Sequence, residues 1–264
     1  MSAVPSLTEF ENAAQSLAEV ITRTPTLPSR ALSDVLGAPV VLKMENLQRT
    51  GSFKIRGSAY RLSQLSAEER SRGVVAASAG NHAQGVALAA QTLGIQATIF
   101  VPLGIPVPKL LATRSYGAEV VLEGETVATS LRLAAEFAER TGAVIIHPFD
   151  HRDVVIGQGT LGLELLEDAP DVDTIVLGIG GGGLIAGVAA AVKAKAAELG
   201  RSVRIIGVQA ENAAAMIPSL EAGYPVDIET KPTIADGILV ARPGAIPFEI
   251  IKDLVDEVLS LIHI

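Results

Sequence analysis

Residues 174–192 read TIVLGIGGGGLIAGVAAAV, and the parsing of this stretch decides the fold. It carries no charge and is long enough for a membrane-spanning helix. Six of its residues are glycine, however, and four stand in a row from Gly180 to Gly183. Each glycine costs a helix interior about 1 kcal/mol relative to alanine. The stretch therefore reads as a buried strand (Thr174–Leu177), a glycine turn and a buried helix (Leu184–Leu199). An aliphatic strand feeding directly into a helix is the unit of a parallel α/β sheet.

The same alternation extends outward from this unit. Upstream, β-rich runs stand at Val74–Ala77, Ala97–Val101, Glu119–Leu122 and Val144–Ile146. Helical patterns separate them at Asn81–Leu93, Pro106–Tyr116 and Thr126–Arg140, and another follows at Val154–Leu166. Downstream comes a strand at Val203–Val208. Strands alternating with helices predict parallel sheets joined by right-handed crossovers. Near the start, Ser6-Leu7-Thr8-Glu9 has capping-box spacing before the amphipathic run Phe10–Ile21. Thr24-Pro25-Thr26-Leu27-Pro28 breaks that helix. A short helix is expected after Ser29 and a strand over Val40–Met44. At the other end, Phe248–Val258 reads as one amphipathic helix. Leu259–Ile264 then begins like a strand and stops, which suggests a chain shortened at its C-terminus.

Composition narrows the function classes. With 48% hydrophobic residues and a mean hydropathy of +0.40, the chain can bury a sizeable core and is not a disordered protein. Its 264 residues suit one large domain or two smaller ones. The net charge of −8 and the lack of a basic stretch argue against nucleic-acid binding. Cysteine is absent. Disulfides, thiolate nucleophiles and cysteine metal ligands are thereby excluded, and a reducing cytoplasm is the expected compartment. Met1–Phe10 lacks the charged-then-apolar order of a secretory signal. No other segment resembles a membrane span.

Three constellations carry chemistry. Residues 45–57, ENLQRTGSFKIRG, form a polar loop running into a helix, with Lys54 in its first turn between Phe53 and Ile55. A helix N-terminus disfavours a cation, and burial among apolar neighbours would lower the amine's pKa and free it to form an imine. The alternative is an ordinary surface lysine near a cap. Ser78-Ala79-Gly80-Asn81-His82 lies between a buried strand and a helix, where backbone N–H groups can hold a carboxylate; a plain capped turn would look the same. In the third, Gly178–Leu184, successive N–H groups could wrap a phosphate at a helix N-terminus. Gly178, Gly180 and Gly183 also satisfy the dinucleotide pattern G-x-G-x-x-G, with acidic Glu211 after the next strand. Read alone, this segment leaves a nicotinamide dehydrogenase open.

Taken in series with Thr233-Ile234-Ala235-Asp236-Gly237, these segments resemble the tryptophan-synthase-β-like, or fold-type-II, pyridoxal-phosphate enzymes. Within that group the resemblance is to threonine dehydratases and serine racemases, and it runs from about Thr24 to the end of the chain. It implies two three-layer α/β domains with mostly parallel sheets. The larger comprises 1–66 and 147–264; the smaller, 67–146, is inserted between them. It implies pyridoxal 5'-phosphate as cofactor, held on Lys54 through an imine, with the lysine amine also acting as base at the substrate Cα. Phe53 would pack beside the cofactor ring. Asn81 would bond its 3-hydroxyl. Backbone N–H groups of Gly180, Gly181, Gly182, Gly183 and Leu184 would bind its phosphate, so that a side chain at Gly181 should occupy phosphate space. Ser78, Ala79, Gly80, Asn81 and His82 would cradle the substrate carboxylate. The implied activity is elimination of water and ammonia from L-threonine or L-serine, in a homo-oligomer of biosynthetic or catabolic role.

Racemases resembling this chain carry a second serine in the carboxylate loop, where it serves as acid and base on the opposite face of the cofactor. Here that position is Ala79, which cannot transfer a proton. The resemblance therefore favours dehydratase over racemase. Serine racemases also place an acidic residue shortly after a metal-binding glutamate. Glu211 could match that glutamate, but Ala213–Ile217 follow it, and no metal site is expected. The resemblance implies a Ser or Cys that meets the cofactor's pyridine nitrogen, and this residue is expected beyond residue 264. A cofactor-binding remnant without activity is the non-enzymatic alternative.

Overall fold

The computed structural model describes residues 4–105 and 107–262. Pro106, His263 and Ile264, on which two of the expected elements fall, lie outside the described residues. In chain order the elements are α1 (Leu7–Leu17), β1 (Thr26–Pro28), α2 (Arg30–Leu36), β2 (Val41–Lys43), α3 (Lys54–Ser63), α4 (Ala67–Arg72), β3 (Val74–Ala77), α5 (Asn81–Leu93), β4 (Ala97–Val101), α6 (Val107–Ser115), β5 (Glu119–Leu122), α7 (Val127–Thr141), β6 (Val144–Ile145), α8 (Arg152–Asp168), β7 (Thr174–Gly178), α9 (Gly183–Glu198), β8 (Arg204–Ala210), α10 (Met216–Ala222), α11 (Ala245–Leu254) and β9 (Glu257–Leu261).

Two parallel sheets organise the chain. One has the order β5-β4-β3-β6, and the other β7-β8-β9. β1 and β2 form a separate antiparallel hairpin, with Thr26 opposite Lys43. The α/β architecture expected from the strand–helix alternation is the one the chain adopts. β3 and β4 are buried along their whole length, which is why they read as unbroken aliphatic runs rather than alternating ones.

The core is built around α8. Val154 through Leu163 of this helix are buried without a break, so it is covered on every side. It packs against α9, α3 and α1. Close approach requires small residues: a Cβ on Gly157 would lie 2.6 Å from the Arg56 carbonyl oxygen of α3. α1 contributes Phe10, Ala13 and Leu17, one face at helical spacing. Burying a side chain such as Phe10 or Leu17 stabilises the fold by about 2–3 kcal/mol. Its start is the expected capping box, with the Ser6 N–H donating to Glu9 Oε2 at 2.8 Å.

Several expectations need correction. The helix expected over Phe248–Val258 ends at Leu254, where Val255 turns extended, and Glu257 already pairs with Ile206 in β9. The switch is fixed by Asp256, whose carboxylate accepts the Ile205 N–H at 2.7 Å and pairs with Lys193. Two residues of alternating polarity fit either period, so the pattern could not place this boundary. The Thr24–Pro28 break contains the short edge strand β1, where proline is tolerated. α4 was missed although Ser66 and Glu69 form a second capping box ahead of it. Among the described residues no helix is long and apolar enough to cross a membrane.

Candidate active site

Lys54 is the first residue of α3, with Phe53 as N-cap. Its Nζ donates to the Pro148 carbonyl oxygen at 2.9 Å and lies 5.3 Å from the Phe53 ring centroid. No carboxylate pairs with it among the described residues. Burial pushes its pKa down from 10.5 to about 8, because an ammonium surrounded by apolar groups loses its hydration. Close to neutral pH a useful fraction of this amine is therefore uncharged. Two residues earlier, Ser52 Oγ is buried without a hydrogen-bond partner.

α5 packs tightly on this turn. A Cβ at Gly85 would fall 3.1 Å from the Lys54 carbonyl carbon. The loop ahead of α5 holds Ser78, Ala79 and Gly80, with Asn81 exposed at the first position of the helix. Ser78 Oγ accepts the Gly80 N–H at 3.2 Å. The amides of Ala79, Asn81 and His82 donate to no protein acceptor among the described residues. The His82 ring is turned away from that loop, with Nε2 2.8 Å from the Ile146 carbonyl oxygen. A carbonyl only accepts, so Nε2 carries the proton.

Burial, and then the positive charges of Lys54 and His147, push His82 down to about 3. In the unfolded chain the imidazole binds its proton near 6.5. Protons below 6.5 therefore favour unfolding, and the stabilisation present above 6.5 is lost as pH falls toward 3. At about 1.4 kcal/mol per pH unit, roughly 2 kcal/mol should disappear between pH 6.5 and pH 5. His82→Gln keeps a donor for Ile146 and does not titrate. Urea unfolding at pH 7 and pH 5 should show a smaller loss for this variant than for the parent; equal losses would refute the assignment.

Between β7 and α9 runs the glycine turn. Gly182 sits at φ +95°, a left-handed conformation that favours glycine. The amides of Gly180, Gly181, Gly182, Gly183 and Leu184 find no protein acceptor among the described residues. Five successive donors at a helix N-terminus form a cradle for an anion. The expectation about Gly181 is corrected in its reason. A Cβ there would run into the ring of Phe149, and one on Gly183 would lie 2.9 Å from Phe149 Cβ. The glycines are needed because protein packs behind the turn.

The three constellations converge on one short segment. His82 bonds to Ile146, Lys54 to Pro148, and the glycine turn rests on Phe149. The orphaned Ser52 hydroxyl, the neutral-leaning amine and the unsatisfied amide cradle fit a phosphate-bearing aldehyde cofactor. Residues 17–262 match the family model described as pyridoxal-phosphate dependent enzyme.

The chain belongs to the pyridoxal-phosphate dependent enzyme family. It is 51% identical over 256 residues to the L-threonine ammonia-lyase of Thermotoga maritima, covering 97% of this chain and 63% of that protein. It thus spans less than two thirds of that relative's length. Among solved structures, the processed threonine deaminase isoform 2 of Solanum lycopersicum superposes with a TM-score of 0.91 at 39% identity, covering 97% of this chain and 74% of that one. Maize serine racemase superposes with a TM-score of 0.93 at 36% identity, covering 98% and 77%. Within this family the dinucleotide reading of Gly178–Gly183 accounts for one segment only. Glu211 stands in a single helical turn after β8, and among the described residues no three His, Cys, Asp or Glu come together to hold a metal.

Sequence reasoning left two groups of residues without a role. The segment Ile146–Asp150 acts partly through main-chain oxygens, which any residue supplies. Arg56 was quoted inside the lysine motif, but its two carboxylate partners, Glu45 and Glu164, are distant in sequence.

Proposed function

We propose that this chain is the catalytic part of an L-threonine/L-serine ammonia-lyase that converts threonine to 2-oxobutanoate, or serine to pyruvate, with release of ammonia. The observation that carries this reading is the Lys54 amine, lowered to about 8 and held on the Pro148 carbonyl, one residue from the ring beneath the glycine turn. The similarity to the Thermotoga ammonia-lyase and the tomato deaminase supports it.

Lys54 would hold the cofactor covalently, with Phe53 beside its ring, Asn81 at its 3-hydroxyl and the amides of Gly180–Leu184 on its phosphate. Pyridoxal phosphate, when bound, supplies the electron sink that makes the substrate Cα proton removable. The uncharged Lys54 Nζ takes that proton, and its pKa near 8 suits a base working close to neutral pH. The amides of Ala79, Asn81 and His82, with the Ser78 hydroxyl, orient the substrate carboxylate. The β-hydroxyl then leaves as water, the proton taken from Cα balancing the hydroxide lost, and hydrolysis of the enamine product gives the 2-oxo acid and ammonia. The division into 1–66 with 147–264 and 67–146 belongs to this reading, as do a homo-oligomeric full-length protein and a cytoplasmic setting.

The likeness to maize serine racemase raises a second reading. Racemisation needs a proton donor on the face opposite Lys54, and Ala79 offers none. Chiral chromatography beside a 2-oxo-acid assay should find far more pyruvate than D-serine from L-serine. Ala79→Ser should raise the D-serine share. D-serine as the main product of the parent would sink the ammonia-lyase reading.

A further inference from the structure

The segment Ile146–Asp150, between β6 and α8, meets all three parts of the site: His82, Lys54 and the glycine turn. His147 Nδ1 accepts the amides of Phe149 and Asp150 at 3.3 and 2.8 Å, folding the segment into a tight turn. The Asp150 carboxylate accepts the N–H groups of Ala245 and Ile246 at 2.9 and 2.8 Å and so caps α11. The His147 ring meets the Phe149 ring edge-on, with centroids 4.7 Å apart and planes at 90°. Phe149 is thus fixed from its own side before it meets the glycine turn.

We propose that Phe149 is a positioning residue: its ring is the template that sets the curvature of the Gly180–Gly183 turn and thereby the site's selectivity for a phosphorylated cofactor. The inference rests on reading that turn as the phosphate cradle. Four consecutive glycines have no side chains with which to hold a shape, so the shape must come from what lies against them. Several supports do this. Phe149 fills the space where a Gly181 side chain would stand, a Cβ on Gly182 would lie 2.8 Å from Ile251 and 2.9 Å from Pro247, a Cβ on Gly180 would lie 3.2 Å from Ile238, and the Gly181 carbonyl accepts the Gly244 N–H at 3.0 Å. Of these, only Phe149 is also chain neighbour to the residue that holds the Lys54 amine. One rigid ring therefore fixes the spacing between the covalent anchor and the anion cradle.

The test is a double-mutant cycle read by spectroscopic titration with pyridoxal phosphate and with pyridoxal, which lacks the phosphate. Gly181→Ala should weaken pyridoxal phosphate roughly tenfold to a hundredfold through overpacking, and pyridoxal much less. Phe149→Ala should weaken pyridoxal phosphate about tenfold and pyridoxal much less, as a lost support rather than a clash; an unchanged preference overturns the template. The double variant should bind pyridoxal phosphate more tightly than Gly181→Ala, because the ring that clashed is gone. Gly183→Ala should not be rescued by Phe149→Ala, since its Cβ meets Phe149 Cβ and main chain, which alanine keeps. Absence of rescue at Gly181 overturns the template. Equal weakening of both ligands in every variant overturns the phosphate reading itself. Should Gly181→Ala fail to fold, Phe149→Leu decides: a melting profile like the parent's with an unchanged preference for the phosphorylated ligand overturns the proposal, and a reduced preference supports it.

Discussion

Replacing Lys54 by alanine is expected to lower the turnover of threonine or serine by about a thousandfold or more and to abolish covalent cofactor attachment. The first effect follows from removing the proposed base at the substrate Cα, a contribution of roughly 10² to 10⁴. The second follows because no other lysine occupies a comparable setting. Lys43 and Lys195, for instance, pair with carboxylates, whereas Lys54 Nζ has only the Pro148 carbonyl among the described residues. Borohydride reduction followed by peptide mapping should place a pyridoxyl group on Lys54 in the parent and nowhere in the variant. Label on a different lysine would remove the assignment. The parent's own titration gives an independent check. Only the uncharged amine attacks an aldehyde, so attachment of added pyridoxal phosphate should accelerate with pH up to about 8 and level off above it. An ordinary exposed lysine would keep accelerating toward 10.5.

How much of this was legible in the sequence depends on what kind of group does each task. α5 runs over Asn81–Leu93 as expected, because Gly80 ahead of it and Gly94 in the left-handed conformation behind it mark both ends chemically. β3, β4 and β5 also fall on the expected residues, since aliphatic runs bounded by polar turns have one reading. The glycine turn was visible as a turn. What packs behind it was not. The direction of a Cβ that glycine lacks depends on backbone torsions, and the partner it would meet, Phe149, lies 32 positions upstream of Gly181. Pro148 contributes a main-chain oxygen, a group with no sequence signature. The lysine's burial was foreshadowed by Phe53 and Ile55, whereas its bond to Pro148 required the fold.

Arg56 carries the other large effect, and it concerns stability. This guanidinium is wholly buried two residues after Lys54. Nε and Nη2 donate to the Glu45 carboxylate at 2.9 and 2.8 Å, and Nη1 and Nη2 donate to the Glu164 carboxylate at 2.6 and 3.0 Å. Burial alone would work against the charge, but these hydrogen bonds and the two negative charges outweigh it and hold Arg56 protonated more firmly than usual. Glu164 is shared with Lys43, which also reaches Asp168, so the first turn of α3 is tied to α8 and to the N-terminal hairpin at once. Arg56→Ala leaves the Glu45 carboxylate without a cation and takes from Glu164 one of its two, Lys43 being the other, and should cost about 3–5 kcal/mol. For a chain of this size that corresponds to a fall of roughly 10 °C or more in Tm. The source of the loss can be separated from mere cavity formation. Arg56→Met, which retains most of the volume, should be nearly as damaging as Arg56→Ala while Glu45 and Glu164 stay charged. Adding Glu45→Gln and Glu164→Gln to Arg56→Met should then recover a substantial part of the stability, because neutral amides tolerate the site better than unpaired carboxylates. Thermal melts of the four proteins decide between the two accounts. If Arg56→Met alone melts like the parent, the ion cluster contributes little to stability, and its position beside Lys54 must be explained by geometry alone.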